Sequence, residues 1–208
     1  MDALVPPPTT NSYMTYEYQV ALGILAIVAG FAGEFLYIKD IFKRTIKPHP
    51  FSWFGWGVLD VVIFSAQIVK GGGAGAWVTG VAAVVNVGIA IAALSRGEKQ
   101  ITWSDWACFI GALLGIVLWI LTDDPLYAVV VASVVNYLAF VPTFRKAYLR
   151  PQEESLNIFV FDIIKFLLSI AALQALNPTT ALFPAASAVS NAIFVGMVLL
   201  RRRQLAKR

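Results

Sequence analysis

Two aspartates and two asparagines interrupt otherwise apolar runs of this 208-residue chain. Asp60 lies in FGWGVLDVVIFSAQ, Asp162 in NIFVFDIIKFLL, Asn86 in VAAVVNVGIAIA and Asn191 in AVSNAIFVGM. In hydrocarbon an unpaired carboxylate costs about 2.5 to 3.5 kcal/mol or more, so such a residue needs a partner or a function. A carboxylate there tends to stay protonated and can take up and release a proton or bind a solute. A carboxamide offers two donors and an acceptor, a set suited to gripping a small polar solute. The plainer alternative is that each asparagine bonds a neighbouring helix and nothing more. Lys165 follows Asp162 by one helical turn and shares its face, so these two can form an ion pair. Asp60 has no base nearby in sequence, which makes it the better candidate for reversible protonation or solute binding. Gln67, two turns beyond Asp60, and Glu34, near the end of the first apolar run, extend this polar set. Trp56 can stack against a ring-shaped solute or, like Trp53 and Trp103, anchor a helix at the membrane interface.

The elements that must position these side chains follow from composition. Hydrophobic residues make up 59% of the chain and charged ones 13%, about half the charged share of a soluble domain. Seven apolar runs recur: Tyr18 to Ile38, Phe51 to Val69, Ala74 to Leu94, Trp103 to Leu121, Leu126 to Phe144, Leu156 to Leu176 and Thr180 to Leu200. Each is long enough as a helix to cross a hydrocarbon core of about 30 Å. The expected class is an all-α integral membrane protein of the plasma (inner) membrane, with seven transmembrane helices and no soluble catalytic domain. The first 17 residues lack the basic start of a cleaved signal peptide, so the first run is expected to be an uncleaved anchor behind an extracytoplasmic tail. Fourteen of the sixteen Lys and Arg fall after runs one, three and five and in the C-terminal tail. By the positive-inside rule the N-terminus is then outside and the C-terminus cytoplasmic. The net charge of +4 is thus a topological signal and does not point to nucleic acid. The single Cys108 excludes an internal disulfide and a thiolate metal cluster.

The chain repeats itself. At an offset of 102 residues Phe42 aligns with Phe144, Lys43 and Arg44 with Arg145 and Lys146, and Asp60 with Asp162; at 105, Asn86 aligns with Asn191 and Arg96 with Arg201. Pro48 and Pro151 are each followed four residues later by a serine, Ser52 and Ser155. Three helices per unit, with one helix between the units, make the units parallel, related by an axis along the membrane normal. The expected divisions are 1–17, a first three-helix repeat at 18–96, a linker helix at 97–124, a second repeat at 125–201 and a basic tail at 202–208. This 3+1+3 pattern, with VPTFRK closing the fifth run before RPQEES, resembles the SWEET and PQ-loop (MtN3-like) superfamily. Pro142 matches that family's proline at the cytoplasmic end of helix five, and the resemblance implies a hinge there. Thr143 stands where the family commonly has glutamine and Asp40 where it has the first-repeat proline, as in a divergent member. The resemblance also implies that Asn86 and Asn191 line a central pocket.

The function expected from these features is a carrier that moves a small polar solute, sugar-like or similar, by alternating access between the two repeats. A non-transporting seven-helix scaffold or receptor is the alternative. A retinal protein is disfavoured because the last run has no lysine for a Schiff base. An enzyme is not expected, since the one histidine, His49, lies in a loop and no Ser/His or paired metal-ligand set falls within the runs. KGGGAG, Lys70 to Gly75, lacks the Lys-Ser/Thr of a phosphate loop and is expected to be a tight turn. No cofactor or metal is expected. The partners are the solute and the lipid bilayer, and a homo-oligomer is compatible with the sequence.

Overall fold

The computed structural model describes residues 10–43, 50–96, 103–149, 151–153 and 156–206. These are all-helical: α1 (Thr10–Phe42), α2 (Pro50–Val69), α3 (Ala74–Arg96), α4 (Trp103–Thr122), α5 (Pro125–Leu149), a single 3-10 turn at Pro151–Glu153, α6 (Asn157–Ala171) and α7 (Pro178–Ala206). The segments Thr15–Lys39, Ala74–Ser95 and Pro178–Ala206 are long and apolar enough to cross a membrane, and Trp53–Val69, Leu113–Thr122 and Pro125–Tyr137 are shorter apolar helices. The chain is therefore membrane-embedded by length and composition, with large apolar side chains such as Phe35, Val84 and Leu94 left on its exterior.

Several boundaries differ from those expected. α1 begins at Thr10, upstream of the apolar run that starts at Tyr18, and α7 runs on through the basic residues to Ala206. α5 continues past Pro142 to Leu149, so this proline falls inside the helix; its side chain, like Pro48 and His49, lies outside the described residues. The sixth helix is a correction. The run Leu156 to Leu176 forms only 15 residues of helix, because beyond Ala171 the backbone turns aside to bond another loop. The Gln174 and Ala175 amides donate to the carbonyls of Gly72 and Gly71 at 3.3 and 3.0 Å.

Helix starts follow local chemistry. Asp124 accepts from the Leu126 amide at 3.0 Å and caps α5, with Pro125 at the first helical position, where a missing N–H costs nothing. Asn177 and Thr180 bond reciprocally at the start of α7, each side-chain oxygen accepting the other's amide at 3.1 Å, as in a capping box. The α2–α3 turn has Gly71 and Gly73 at φ 75° and 55°, in the left-handed region that favours glycine.

The helices pack in a closed cycle, α1–α3–α2–α5–α7–α6 and back to α1. Two further contacts, α3 with α6 and α2 with α7, bring four helices toward the middle, and α4 lies against α2 and α5. Exchanging α1, α2 and α3 for α5, α6 and α7 leaves every one of these contacts unchanged, apart from those of α4. One apolar core joins α2, α5 and α7 through Leu59, Ile63, Val129, Ala132 and Phe183. A second centres on fully buried Phe194, whose ring meets Phe140, Phe144 and Phe159 at 5.7, 5.1 and 4.3 Å. At the same end Arg201 stacks 4.5 Å over the Tyr148 ring and Arg202 donates to the Pro151 carbonyl at 3.0 Å, tying the basic end of α7 to the end of α5.

Candidate functional site

Pro184 sets the register of the site. It stands inside α7 and has no N–H, so the carbonyl of Thr180, four residues earlier, loses its helical donor. Gln67 of α2 supplies one: Nε2 donates to Thr180 O at 2.9 Å, in a buried position. On the other side of the helix cycle, Ser169 of α6 donates from Oγ to the carbonyl of Gly75 at the start of α3, also at 2.9 Å and buried. Ser169 lies 102 residues after Gln67, and Thr180 lies 105 after Gly75, so the two bonds join equivalent positions at the offsets of the sequence repeat. Between them the Gly75 amide bonds Ala172 O at 3.1 Å and Asn177 Nδ2 bonds Lys70 O at 3.0 Å. The loop that follows α2 is thereby sewn to the loop that follows α6.

From this clamp the depth of every other polar group can be counted. Trp56 lies eleven residues before Gln67 and Asn191 eleven after Thr180; Asp60 and Ser187 each lie seven away. With α2 and α7 antiparallel, Trp56 is level with Asn191, about 16 Å from the clamp, and Asp60 with Ser187, about 10 Å from it. Seven and eleven residues are nearly two and three whole turns. Hence Trp56, Asp60 and Gln67 share one stripe of α2, and Ser187 and Asn191 share the stripe of α7 below Thr180.

Asp60 is 7% exposed, and Asn86 Nδ2 donates to its Oδ2 at 2.7 Å, across from α3 to α2. The equivalent pair in the second repeat is not made. Asp162 instead holds Lys165, with Nζ 2.6 Å from Oδ1, and Asn191 Nδ2 turns back to the Ser187 carbonyl at 2.8 Å. Asn191 Oδ1 is left buried with no hydrogen-bond partner among the described residues, as are Ser187 Oγ, Trp56 Nε1 and Gln67 Oε1. Four such atoms on the facing stripes of two helices are unusual, since buried polar atoms are nearly always paired.

Lys165 is 7% exposed and reaches inward from α6 along Gly30 of α1, where an added Cβ would lie 2.8 Å from the lysine Cδ. Its ammonium stands in the field of three carboxylates, Asp162, Glu34 and Asp60. Glu34 of α1 is buried and belongs to this charge cluster. Trp56 packs against the α2/α5/α7 core with its ring edge-on to Trp53, at 5.2 Å and 89°.

No family model matches the chain, and neither the curated proteins nor the solved structures include a match to it. Its site must be judged on its own geometry. Asp60 bonds Asn86, and one turn away on the same facing stripes Trp56 is level with Asn191; Lys165, Asp162 and Glu34 lie in electrostatic reach of Asp60. Asn86 and Asn191 do not bond each other. Gln67 sits a further two turns away, in the clamp. Pattern in the sequence did not single out Ser187, Ser169, Thr180 or Gly30. Pro184 inside an apolar run was the available signal, because it announces a freed carbonyl one turn back.

Proposed function

We propose that this protein is a membrane carrier that moves a small polar solute through the centre of its helix cycle by alternating access. In this reading all seven helices span the membrane in a 3+1+3 arrangement, with the N-terminus outside, the C-terminus cytoplasmic and the loops after α2 and α6 on the outer side. α1–α3 and α5–α7 are the two moving units, and α4 links them. The observation that carries the proposal is the set of unpaired buried polar atoms on α2 and α7 beside the Asp60–Asn86 pair. A scaffold has no use for uncompensated polar groups, each costing about 1 to 3 kcal/mol, whereas a solute site needs them. The paired contacts between the halves support two equivalent units hinged about one axis. Under this proposal the clamp closes the outer face, and transport requires it to open.

The test uses that closure. The Cβ of a residue at position 71 would lie 3.3 Å from Ala175 Cβ, just under the spacing that a disulfide accepts, and since a side chain at φ 75° is strained the reduced protein is the reference for uptake. Gly71→Cys with Ala175→Cys, in a Cys108→Ala background, is reconstituted in liposomes and assayed for uptake of labelled glucose, glycine and ethanolamine. Uptake of at least one solute that is lost on oxidation and returns with reductant is expected. Uptake indifferent to the crosslink, or absent for every solute in the unmodified chain, would overturn the carrier.

A further inference from the structure

The side chains at the proposed site specify a class of solute, an inference that rests on the carrier reading above. We propose that the site binds the protonated primary amine of a small solute, held by Asp60, Ser187 and Asn191.

Charge is the first argument. Glu34, Asp60 and Asp162 are three carboxylates around one lysine, and that lysine is already paired with Asp162. Lys165 is also the one cation in whose field Asp60 and Glu34 stand among the described residues. A neutral solute does nothing to offset this excess, whereas a cation, or a proton taken up by a buried carboxylate, does.

Hydrogen bonding is the second argument and is independent of the first. A primary ammonium presents three N–H donors and no acceptor. Ser187 Oγ and Asn191 Oδ1, on residues 3% and 4% exposed, have no partner among the described residues, and they lie on the α7 stripe that faces α2. Asp60 stands level with Ser187 on the facing stripe, and of its two oxygens Oδ2 receives Asn86. Three acceptors from two helices thus match three donors. Trp56 Nε1, level with Asn191, is a donor without an acceptor, which suits a hydroxyl or carboxylate carried on the same solute.

The full chain, purified in detergent, is titrated with ethanolamine, choline, ethylene glycol and glucose while thermal unfolding and heats of binding are followed. Ethanolamine carries the ammonium and a hydroxyl, choline a hydroxyl and the charge without N–H donors, and the two polyols hydroxyls without charge. A ligand that binds the native state raises the unfolding temperature with concentration. Ethanolamine should do so, with choline about tenfold weaker or more and both polyols without effect. Asp60→Asn should weaken ethanolamine about tenfold or more, and Ser187→Ala and Asn191→Ala about threefold each, on a chain that still unfolds cooperatively. Equal binding of choline, or ethanolamine affinity unchanged in all three variants, would overturn the amine assignment. Stabilisation by glucose but not ethanolamine would overturn it and leave the carrier standing. Absence of any ligand effect would overturn it too, while the crosslink experiment decides the carrier separately.

Discussion

Gln67 Nε2 bonds the Thr180 carbonyl at 2.9 Å, and it can do so because Pro184 has removed the donor that this carbonyl would have within its own helix. A proline inside α7 is thus compensated by a side chain from α2. The equivalent bond, Ser169 to Gly75, involves no proline: Gly75 lies in the first turn of α3 against the end of α6, where a Cβ would meet Ser169 O at 2.5 Å. Two units with different local causes arrive at the same contact between halves.

Gln67→Leu should destabilise the protein by about 1 to 3 kcal/mol, since it strands a buried carbonyl. Pro184→Ala restores an N–H to α7, so in the double variant most of that loss should return. Thermal unfolding of the four proteins measures it. A double variant as unstable as Gln67→Leu alone would show that the Thr180 carbonyl is not the reason.

Removing Lys165 alone should cost more than removing it together with its partner. Lys165→Met leaves Asp162, Glu34 and Asp60 without their cation, a loss in the range of about 1 to 4 kcal/mol once the partial exposure of Asp162 is allowed for. Lys165→Met with Asp162→Leu removes both members of the pair and should recover part of it. Chemical denaturation of the single and double variants decides, and equal stabilities would mean that the ion pair contributes nothing.

Gly30→Ala places a methyl group against the stem of Lys165 and should destabilise by about 1 to 3 kcal/mol, as overpacking does. The cost should fall in the Lys165→Ala background, where the clash is gone. A double-mutant cycle on unfolding free energies would expose the coupling. Additive effects would place the lysine stem elsewhere than along α1.

Topology can be probed with the one native thiol removed. In Cys108→Ala, a cysteine at Lys70 should react with an impermeant maleimide in intact cells, and a cysteine at Arg203 only after permeabilisation. Reaction at Arg203 from outside would reverse the orientation.

Much of this architecture is legible along the chain, for a simple reason. A bilayer imposes one rule on every span, so apolar runs separated by short loops, basic at alternate turns, announce helices without knowledge of their neighbours. The turn at Lys70 to Gly75 was equally plain, because three consecutive glycines favour positive φ wherever they occur. The offsets of 102 and 105 residues also stand in the sequence, as matched residue types at fixed spacing. What those positions do was a matter of tertiary structure. Asp60 and Asp162 are equivalent in sequence, yet Asp60 is bonded by Asn86 and Asp162 by Lys165, and this leaves Asn191 with an oxygen unpaired among the described residues. The end of α6 at Ala171 was likewise decided elsewhere, by carbonyls of Gly71 and Gly72 that compete for its backbone amides. Helix formation is governed by local composition and by the solvent, so one chain segment suffices to foretell it. Partner choice among polar side chains depends on which helix faces which, at what depth and with what gap. Pro184, Gly30 and the closure of the helix cycle determine those quantities only once the helices are packed.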